Sequence, residues 1–146
     1  MNKLSTDERV RVVSALVEGC SIRSTVRMTG VAKNTVSKLL VELGTACEAF
    51  HDQHVRGLKT KRVQLDEIWS FCYCKAQNMT EKNYSPERGD VWTWAALDAD
   101  SKLVCNWLVG NRGGACAQAF VADLAERLND RVQITSDGWD AYRSAI

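Results

Sequence analysis

The chain has 146 residues, of which 45% are hydrophobic and 25% charged, and its formal net charge is +1. This composition is typical of a folded globular protein and excludes a disordered one. There is no apolar run of about 18 residues and no basic, then apolar N-terminus, so we expect neither a membrane span nor a secretory signal, and a cytoplasmic location. The six cysteines are scattered through apolar patterns, which predicts reduced, mostly buried thiols.

The charge is distributed unevenly along the chain. Residues 1–62 carry 11 Lys and Arg against 6 Asp and Glu, a net of +5, whereas residues 63–146 carry 8 against 12, a net of −4. A basic segment favours binding to a polyanion, and an acidic segment is compatible with binding a cation. The two parts of the chain are therefore expected to have different partners.

The first residues predict a capped helix. Ser5 and Glu8 have the spacing of a capping box, and Gly19 is placed to end the helix. The apolar residues that recur at helical spacing, and so predict its inner face, are Val10, Val13, Leu16 and Val17.

Two more helices follow in the basic segment. Ser21 caps a short second helix through about Met28, with Ile22 and Val26 on its inner face, and residues 29–31 form a tight turn. A third helix is predicted from about Ala32 to Leu43, with Gly44 ending it. Its inner stripe consists of Val36, Leu39, Leu40 and Leu43.

Three short helices with a glycine-containing turn before the third are typical of a helix-turn-helix domain, here residues 1–44. The outward side chains near the start of the third helix are cations, amides and hydroxyls, which bind phosphates and base edges in a major groove. They are Lys33, Asn34, Thr35, Ser37 and Lys38, and Arg23 and Arg27 on the second helix are placed to hold backbone phosphates. An ordinary solvated three-helix bundle with a basic face stays open as the alternative.

Residues 45–61 predict a further helix and then a basic linker, whose cations either meet phosphates or are simply solvated. A zinc site is a second possibility here, because His51 and His54 together with Cys72 and Cys74 supply four soft ligands. The Cys-x-Cys spacing is unusual for structural zinc, so surface histidines and core thiols are the favoured interpretation.

The acidic segment predicts the order β-β-β-α-β-α. Strand patterns with Trp92 and Trp94 on one face are followed by a helix with an apolar stripe and with Asp123, Glu126 and Arg127 opposite it. The predicted ranges are 62–74, 91–100 and 102–110 for the first strands, 115–128 for the helix, 131–138 for the fourth strand, and 139–146 for the last helix. The helical crossover returns the fourth strand into the same sheet.

Two aspartates in this segment are candidates for a metal site. Asp66 lies within the first strand, where aspartate is normally rare, and Asp137 ends the fourth strand. Taken alone, Asp137 and Gly138 are a turn signal, but together with Asp66 they offer a carboxylate pair on neighbouring strands, as hard divalent cations require. Glu67 points to the opposite face of the strand and is interpreted as a structural or surface carboxylate.

The motifs "QLDEIWSF", "GDVWTWAALDADSKLVCNWLVG" and "VQITSDGWDAY", placed after a helix-turn-helix, resemble the transposases of the insertion sequence one family. The resemblance implies an α+β or α/β fold with a ribonuclease H-like core and an Asp-Asp-Glu metal triad, in which Asp66 and Asp137 are the two aspartates. It also implies Mg²⁺ or Mn²⁺ as cofactor and strand cleavage and transfer as the reaction. The implied partner is double-stranded DNA, both the terminal inverted repeats of the element and the target DNA. The resemblance also implies that several copies of the chain assemble on this DNA in the nucleoid.

The chain departs from the family at the third carboxylate. The family's glutamate follows the second aspartate on a later helix, no residue here matches it, and Glu126 comes too early. Residues 62–146 are therefore expected to be a C-terminally truncated catalytic domain. Two alternatives stay open: a DNA-binding regulator or inhibitor of transposition without catalysis, and a metal-dependent nuclease with another role.

Overall fold

A computed structural model describes residues 3–146, which form a mixed α+β protein. The chain divides into two compact units between His54 and Val55. The first unit is helical, and the second contains a mixed four-stranded sheet.

The first unit consists of α1 (Thr6–Val17), α2 (Ile22–Thr29) and α3 (Lys33–His54). The predicted capping box is confirmed: the Glu8 backbone N–H donates to Ser5 Oγ at 3.2 Å, and the Ser5 backbone N–H donates to Glu8 Oε2 at 2.8 Å. Gly30 ends α2 in the left-handed region, at φ +72°, which an L side chain rarely adopts. The turn before α3 is therefore encoded by this glycine.

The core of the first unit contains Val12, Val31 and Val36, with Leu4, Leu16, Ile22, Val26 and Leu39 packed around them. The predicted inner face of α1 is partly wrong, because Val10 and Val17 are exposed and Val12 and Ala15 are buried. Apolar residues occupy more than one face of α1, and packing against Val31 and Val36 decides which face is buried. Leu40 of α3 is also exposed, contrary to its place in the predicted stripe.

The third helix does not end at Gly44. α3 continues without a break to His54, so the separate helix predicted after residue 45 is the second half of α3. A glycine within a helix costs only about 1 kcal/mol relative to alanine, and good helix formers such as Ala46, Glu48 and Ala49 follow it. Residues 55–61, predicted as linker, belong to the second unit.

The second unit follows the predicted order β-β-β-α-β-α. Its elements are β1 (Arg62–Cys72), β2 (Gly89–Asp98), β3 (Val104–Gly110), α4 (Gly114–Arg127), β4 (Gln133–Thr135) and α5 (Asp140–Ala145). The strand order is β3-β2-β1-β4. The first three strands are antiparallel neighbours, and β4 lies parallel to β1 with Val63 opposite Ile134 and Gln64 opposite Thr135.

The two faces of the sheet differ. On one, called the helix face here, α4 and α5 bury Val63 and Leu65 of β1 and Trp94 of β2. Trp92 and Trp94 share this face, as predicted. The other, called the open face, carries Ile68, Trp107 and Val109, which are all exposed.

Two predictions for the second unit are wrong. Arg127 was placed on the solvent side of α4, but it is buried, pairs with Asp123 at 2.8 Å and donates to the carbonyl of Val55 at 3.3 Å. The sequence pattern of α4 does not show that the segment around Val55 covers this side of the helix. The six cysteines are free, as expected, but only Cys105 is buried.

Candidate functional site

The structure brings Asp66 and Asp137 into one groove. Gln64 of β1 and Thr135 of β4 are register partners. Asp66 lies two residues further along β1, whereas Asp137 lies two residues past the end of β4, because this strand stops at Thr135 and not at residue 138 as predicted. Both line a groove of about 450 Å³ whose walls include Gln64, Ile68 and other residues of the open face. The parallel return of β4 beside β1 is what places the two carboxylates at the same level.

The two carboxylates differ in how the protein holds them. Asp66 is exposed, and its Oδ1 accepts a hydrogen bond from the backbone N–H of Glu67 at 2.9 Å. Asp137 Oδ1 accepts from the backbone N–H of Trp139 at 3.0 Å, and its Oδ2 accepts from Arg112 Nη2 at 2.9 Å. Asp66 is therefore open to a ligand, whereas Asp137 is fixed in orientation. Its bond to Trp139 also forms the turn expected for an aspartate before glycine.

Glu67 lies on the helix face, opposite to Asp66. Its side chain is only 2% exposed, and Oε2 accepts from Arg112 Nε at 3.0 Å. The prediction that it points away from Asp66 is confirmed, and of the two roles considered the structural one applies. A buried carboxylate with a single cationic partner depends strongly on that partner.

Arg112 is the residue that the sequence analysis missed. It lies in the loop between β3 and α4, which was interpreted only as a turn, and it bridges Glu67 on β1 and Asp137 after β4. Its guanidinium carbon also lies 5.1 Å from the ring centroid of Trp92 and 4.8 Å from that of Trp139. The only indication in the sequence is an arginine next to two glycines, and this pattern does not identify Glu67 and Asp137 as its partners because both are distant in sequence.

Tyr142 of α5 completes a buried polar cluster with Glu67. The Tyr142 hydroxyl and Glu67 Oε1 are both buried, and neither has a hydrogen-bond partner among residues 3–146. Burial raises the pKa of the Tyr142 hydroxyl far above its ordinary value, and the neighbouring Glu67 carboxylate raises it further. The phenol therefore stays neutral over the physiological pH range.

The carboxylates of Asp66 and Asp137 fit a divalent cation for which the protein supplies only some of the ligands. Carboxylate oxygens are hard donors, and Mg²⁺ commonly takes one or two carboxylates with waters and substrate phosphates. Among residues 3–146 no group of three His, Cys, Asp or Glu side chains has the geometry to hold a metal ion. Asp66 and Asp137 are two carboxylates that line the same groove. The zinc alternative at His51, His54, Cys72 and Cys74 finds no support in the described chain.

The predicted DNA-contacting residues of α3 lie together in its first turns. Lys33, Asn34, Thr35 and Lys38 are exposed, and Ser37 is half-buried. Asn34, Thr35 and Lys38 line a shallow groove of about 440 Å³ together with Arg9 of α1, which the sequence analysis did not select. Lys38 also pairs with Glu42 at 3.6 Å.

Arg23 and Arg27 are both exposed on α2. Arg27 Nη2 donates to Ser24 Oγ at 3.0 Å, a bond at the surface that a phosphate oxygen can replace. The first unit therefore presents cations from two helices, with the amide of Asn34 at the N-terminal end of α3.

Among residues 3–146, no helix is both long enough and apolar enough to cross a lipid bilayer. No protein-family model matches the sequence, and no curated protein matches it.

Proposed function

We propose that the protein is a DNA transposase of a bacterial insertion sequence, similar to the insertion sequence one family, which binds element-end DNA and catalyses Mg²⁺-dependent strand cleavage and transfer. The observation that carries the proposal is the groove that is lined both by Asp66 on β1 and by Asp137, two residues past the end of the parallel strand β4. The strand order β3-β2-β1-β4, with a helix between β3 and β4, supports a ribonuclease H-like core.

Cleavage of a DNA strand requires a water or a 3′-hydroxyl to attack phosphorus in line with the leaving oxygen, while negative charge builds on the phosphate oxygens. A bound Mg²⁺ or Mn²⁺ supplies the positive charge that activates the attacking oxygen and stabilises the leaving one. Asp66 and Asp137 would hold the cation through their carboxylate oxygens; in Asp137 these would be the lone pairs that its bonds to Trp139 and Arg112 leave unused. Arg112 would act as a positioning residue, because it fixes the orientation of Asp137.

The first unit would hold the DNA. In this proposal Arg23, Arg27, Lys33 and Lys38 meet phosphates, and Asn34 reads a base edge in the major groove. Thr35 and Ser37 add hydroxyl contacts from the same turns of α3. Several copies would assemble on the terminal inverted repeats, and the protein would work in the cytoplasm on nucleoid DNA.

The test uses a supercoiled plasmid that carries the DNA flanking the gene, incubated with the purified chain and Mg²⁺ or Mn²⁺. We expect nicking and strand joining that disappear in Asp66→Asn and Asp137→Asn. Asp140→Asn is the matched control, because this carboxylate lies three residues beyond Asp137 and its side chain is 91% exposed. Activity that survives in Asp66→Asn would contradict the proposed catalytic site, and hydrolysis without joining would favour a metal-dependent nuclease.

A second candidate function is a DNA-binding regulator of transposition without catalysis. It is favoured by one observation: among residues 3–146 no third carboxylate joins Asp66 and Asp137 in a metal-binding group. Gel-shift binding to the terminal repeats, with no nicking in either metal, would support this function. A regulator of this kind should lose affinity steeply as the salt concentration rises.

A further inference from the structure

The helix face of the sheet is not covered along its whole length. α4 and α5 bury Val63 and Leu65 near the start of β1, but Trp69 and Phe71 further along the same face are 40% and 49% exposed. The two rings lie 5.7 Å apart. Tyr73, which is 65% exposed, lies just past the end of β1 in a left-handed backbone conformation with φ 68°, and it joins the group through Arg88 and not through the strand alternation. Aromatic side chains are thus presented side by side at the surface.

Most of the aromatic rings in this region have a Lys or Arg side chain over the ring. Lys75 Nζ lies 5.0 Å from the ring centroid of Trp69, and the guanidinium carbon of Arg88 lies 4.1 Å from that of Tyr73. Trp92 is the cross-strand partner of Trp69 and carries Arg112 over its ring. We call these residues the aromatic stripe: Trp92, Trp69, Phe71 and Tyr73, with Arg112, Lys75 and Arg88.

We propose that the aromatic stripe binds single-stranded nucleic acid, with bases stacked on Trp69 and Phe71 and phosphates paired with Lys75 and Arg88. Alternating aromatic rings and cations are how proteins bind single strands without reading their sequence. Residues i and i+2 of a strand are about 6.6–6.8 Å apart, roughly twice the 3.4 Å rise of stacked bases in a duplex. The stripe therefore fits an extended strand whose bases are separated from one another.

A duplex does not fit this surface, because the faces of its bases are stacked on neighbouring base pairs and cannot stack on Trp69 or Phe71. Two carboxylates belong to the same face: Glu67 pairs with Arg112, and Asp90, the cross-strand partner of Phe71, accepts a hydrogen bond from the backbone N–H of Ala76 at 2.9 Å but keeps its negative charge. Glu81 and Glu87 of the connecting loop offset part of the positive charge. Stacking, more than net charge, is therefore expected to supply the affinity.

The inference extends beyond the proposed catalysis and does not depend on it. Arg112, at one end of the stripe, also holds Asp137 of the carboxylate groove. The groove opens on the other face of the sheet, so binding of an unpaired strand to the stripe can be measured without any cleavage.

The experiment measures fluorescence anisotropy of a labelled 15-nucleotide oligothymidylate titrated with the full chain, and of a duplex of the same length. Trp69→Ala and Phe71→Ala are each expected to weaken single-strand binding by about tenfold. Trp107→Ala is the matched control, because Trp107 is also 40% exposed but lies on the open face of the same sheet. The control should retain its single-strand affinity, and all three variants should bind the duplex as the unchanged protein does.

Several results would overturn the proposal. Equal losses in Trp69→Ala and Trp107→Ala would remove the distinction between the faces, and an equal loss on the duplex would remove the preference for single strands. Sedimentation that shows a dimer lost only in Trp69→Ala, with single-strand affinity unchanged, would assign the stripe to self-association. Trp69→Leu keeps an apolar side chain without the ring, so it provides the same test if Trp69→Ala fails to fold.

Discussion

Arg112 links two carboxylates that are 70 residues apart in sequence: its Nη2 donates to Asp137 Oδ2 at 2.9 Å and its Nε donates to Glu67 Oε2 at 3.0 Å. The Glu67 side chain is 2% exposed, so a buried group anchors the arginine that orients a carboxylate of the groove. The geometry of the proposed metal site therefore depends on a residue that does not line it.

Removal of Arg112 should destabilise the second unit. Arg112→Ala leaves Glu67 buried without its cationic partner, and we expect the free energy of unfolding to fall by about 2–4 kcal/mol. The measurement is urea unfolding followed by far-UV circular dichroism. The double variant Arg112→Ala with Glu67→Gln should recover much of this loss, because a neutral amide costs less to bury. Additive losses from the two substitutions would contradict the ion pair.

The buried phenol of Tyr142 should make stability depend on pH under alkaline conditions. Its pKa is raised in the folded state above the ordinary value of 10.0, chiefly by burial and further by Glu67. Below pH 10 the phenol is protonated in both states and contributes no pH dependence. Above pH 10 the unfolded chain releases the proton first, so this group lowers the free energy of unfolding by about 1.4 kcal/mol per pH unit.

Tyr142→Phe should remove this alkaline component. At pH 7 the same substitution should change stability by no more than about 1 kcal/mol in either direction, because the buried hydroxyl makes no hydrogen bond of ordinary length among residues 3–146, although Glu67 lies close enough to raise its pKa. Unfolding curves of both proteins at pH 7, 10 and 11 provide the comparison. A clear loss of stability at pH 7 would show that the Tyr142 hydroxyl forms a stabilising hydrogen bond.

Substitutions in α3 should separate phosphate contacts from base contacts. Lys33→Ala and Lys38→Ala are expected to weaken binding to all duplexes and to reduce the slope of log affinity against log salt by about 1 each. Asn34→Ala should instead reduce the preference for the terminal repeats by about 1–3 kcal/mol. The control is Arg131→Ala, an exposed cation of the second unit. If the α3 variants show the same footprints and the same salt dependence of affinity as the unchanged protein, these residues of α3 do not contact DNA.

Much of the architecture could be predicted because it depends on local patterns. The alternation in β1 correctly places Asp66 and Glu67 on opposite faces, and the element order of the second unit follows from its apolar periodicity. The pairing of β1 with β4 could be expected from the helical crossover, which brings Asp137 beside Asp66.

What could not be predicted depends on contacts between distant residues. Arg112 is 45 residues from Glu67 in sequence, and nothing in its loop indicates which carboxylate it reaches. Arg127 is buried because the segment at Val55 covers it, 72 residues away. In α1, packing rather than periodicity decides that Val12 is buried and Val17 exposed.

The continuity of α3 through Gly44 can be tested directly. Gly44 lies within the helix, and a Cβ built on it meets nothing within 4 Å. Gly44→Ala should therefore raise the free energy of unfolding by about 0.5–1 kcal/mol, because alanine loses less backbone entropy in a helix. Gly30→Ala is the matched comparison: its surroundings are equally open, but φ is +72°, so alanine should destabilise the turn.

The measurement is the thermal unfolding of Gly44→Ala and Gly30→Ala, each compared with the unchanged protein. If Gly44 instead ended the helix in a left-handed conformation, as its sequence position suggests, Gly44→Ala would destabilise the protein as Gly30→Ala does. Opposite signs at the two glycines support one helix from Lys33 to His54. Equal losses would instead indicate that the helix breaks at Gly44, and the predicted DNA-contacting residues of α3 would then lie on a much shorter helix.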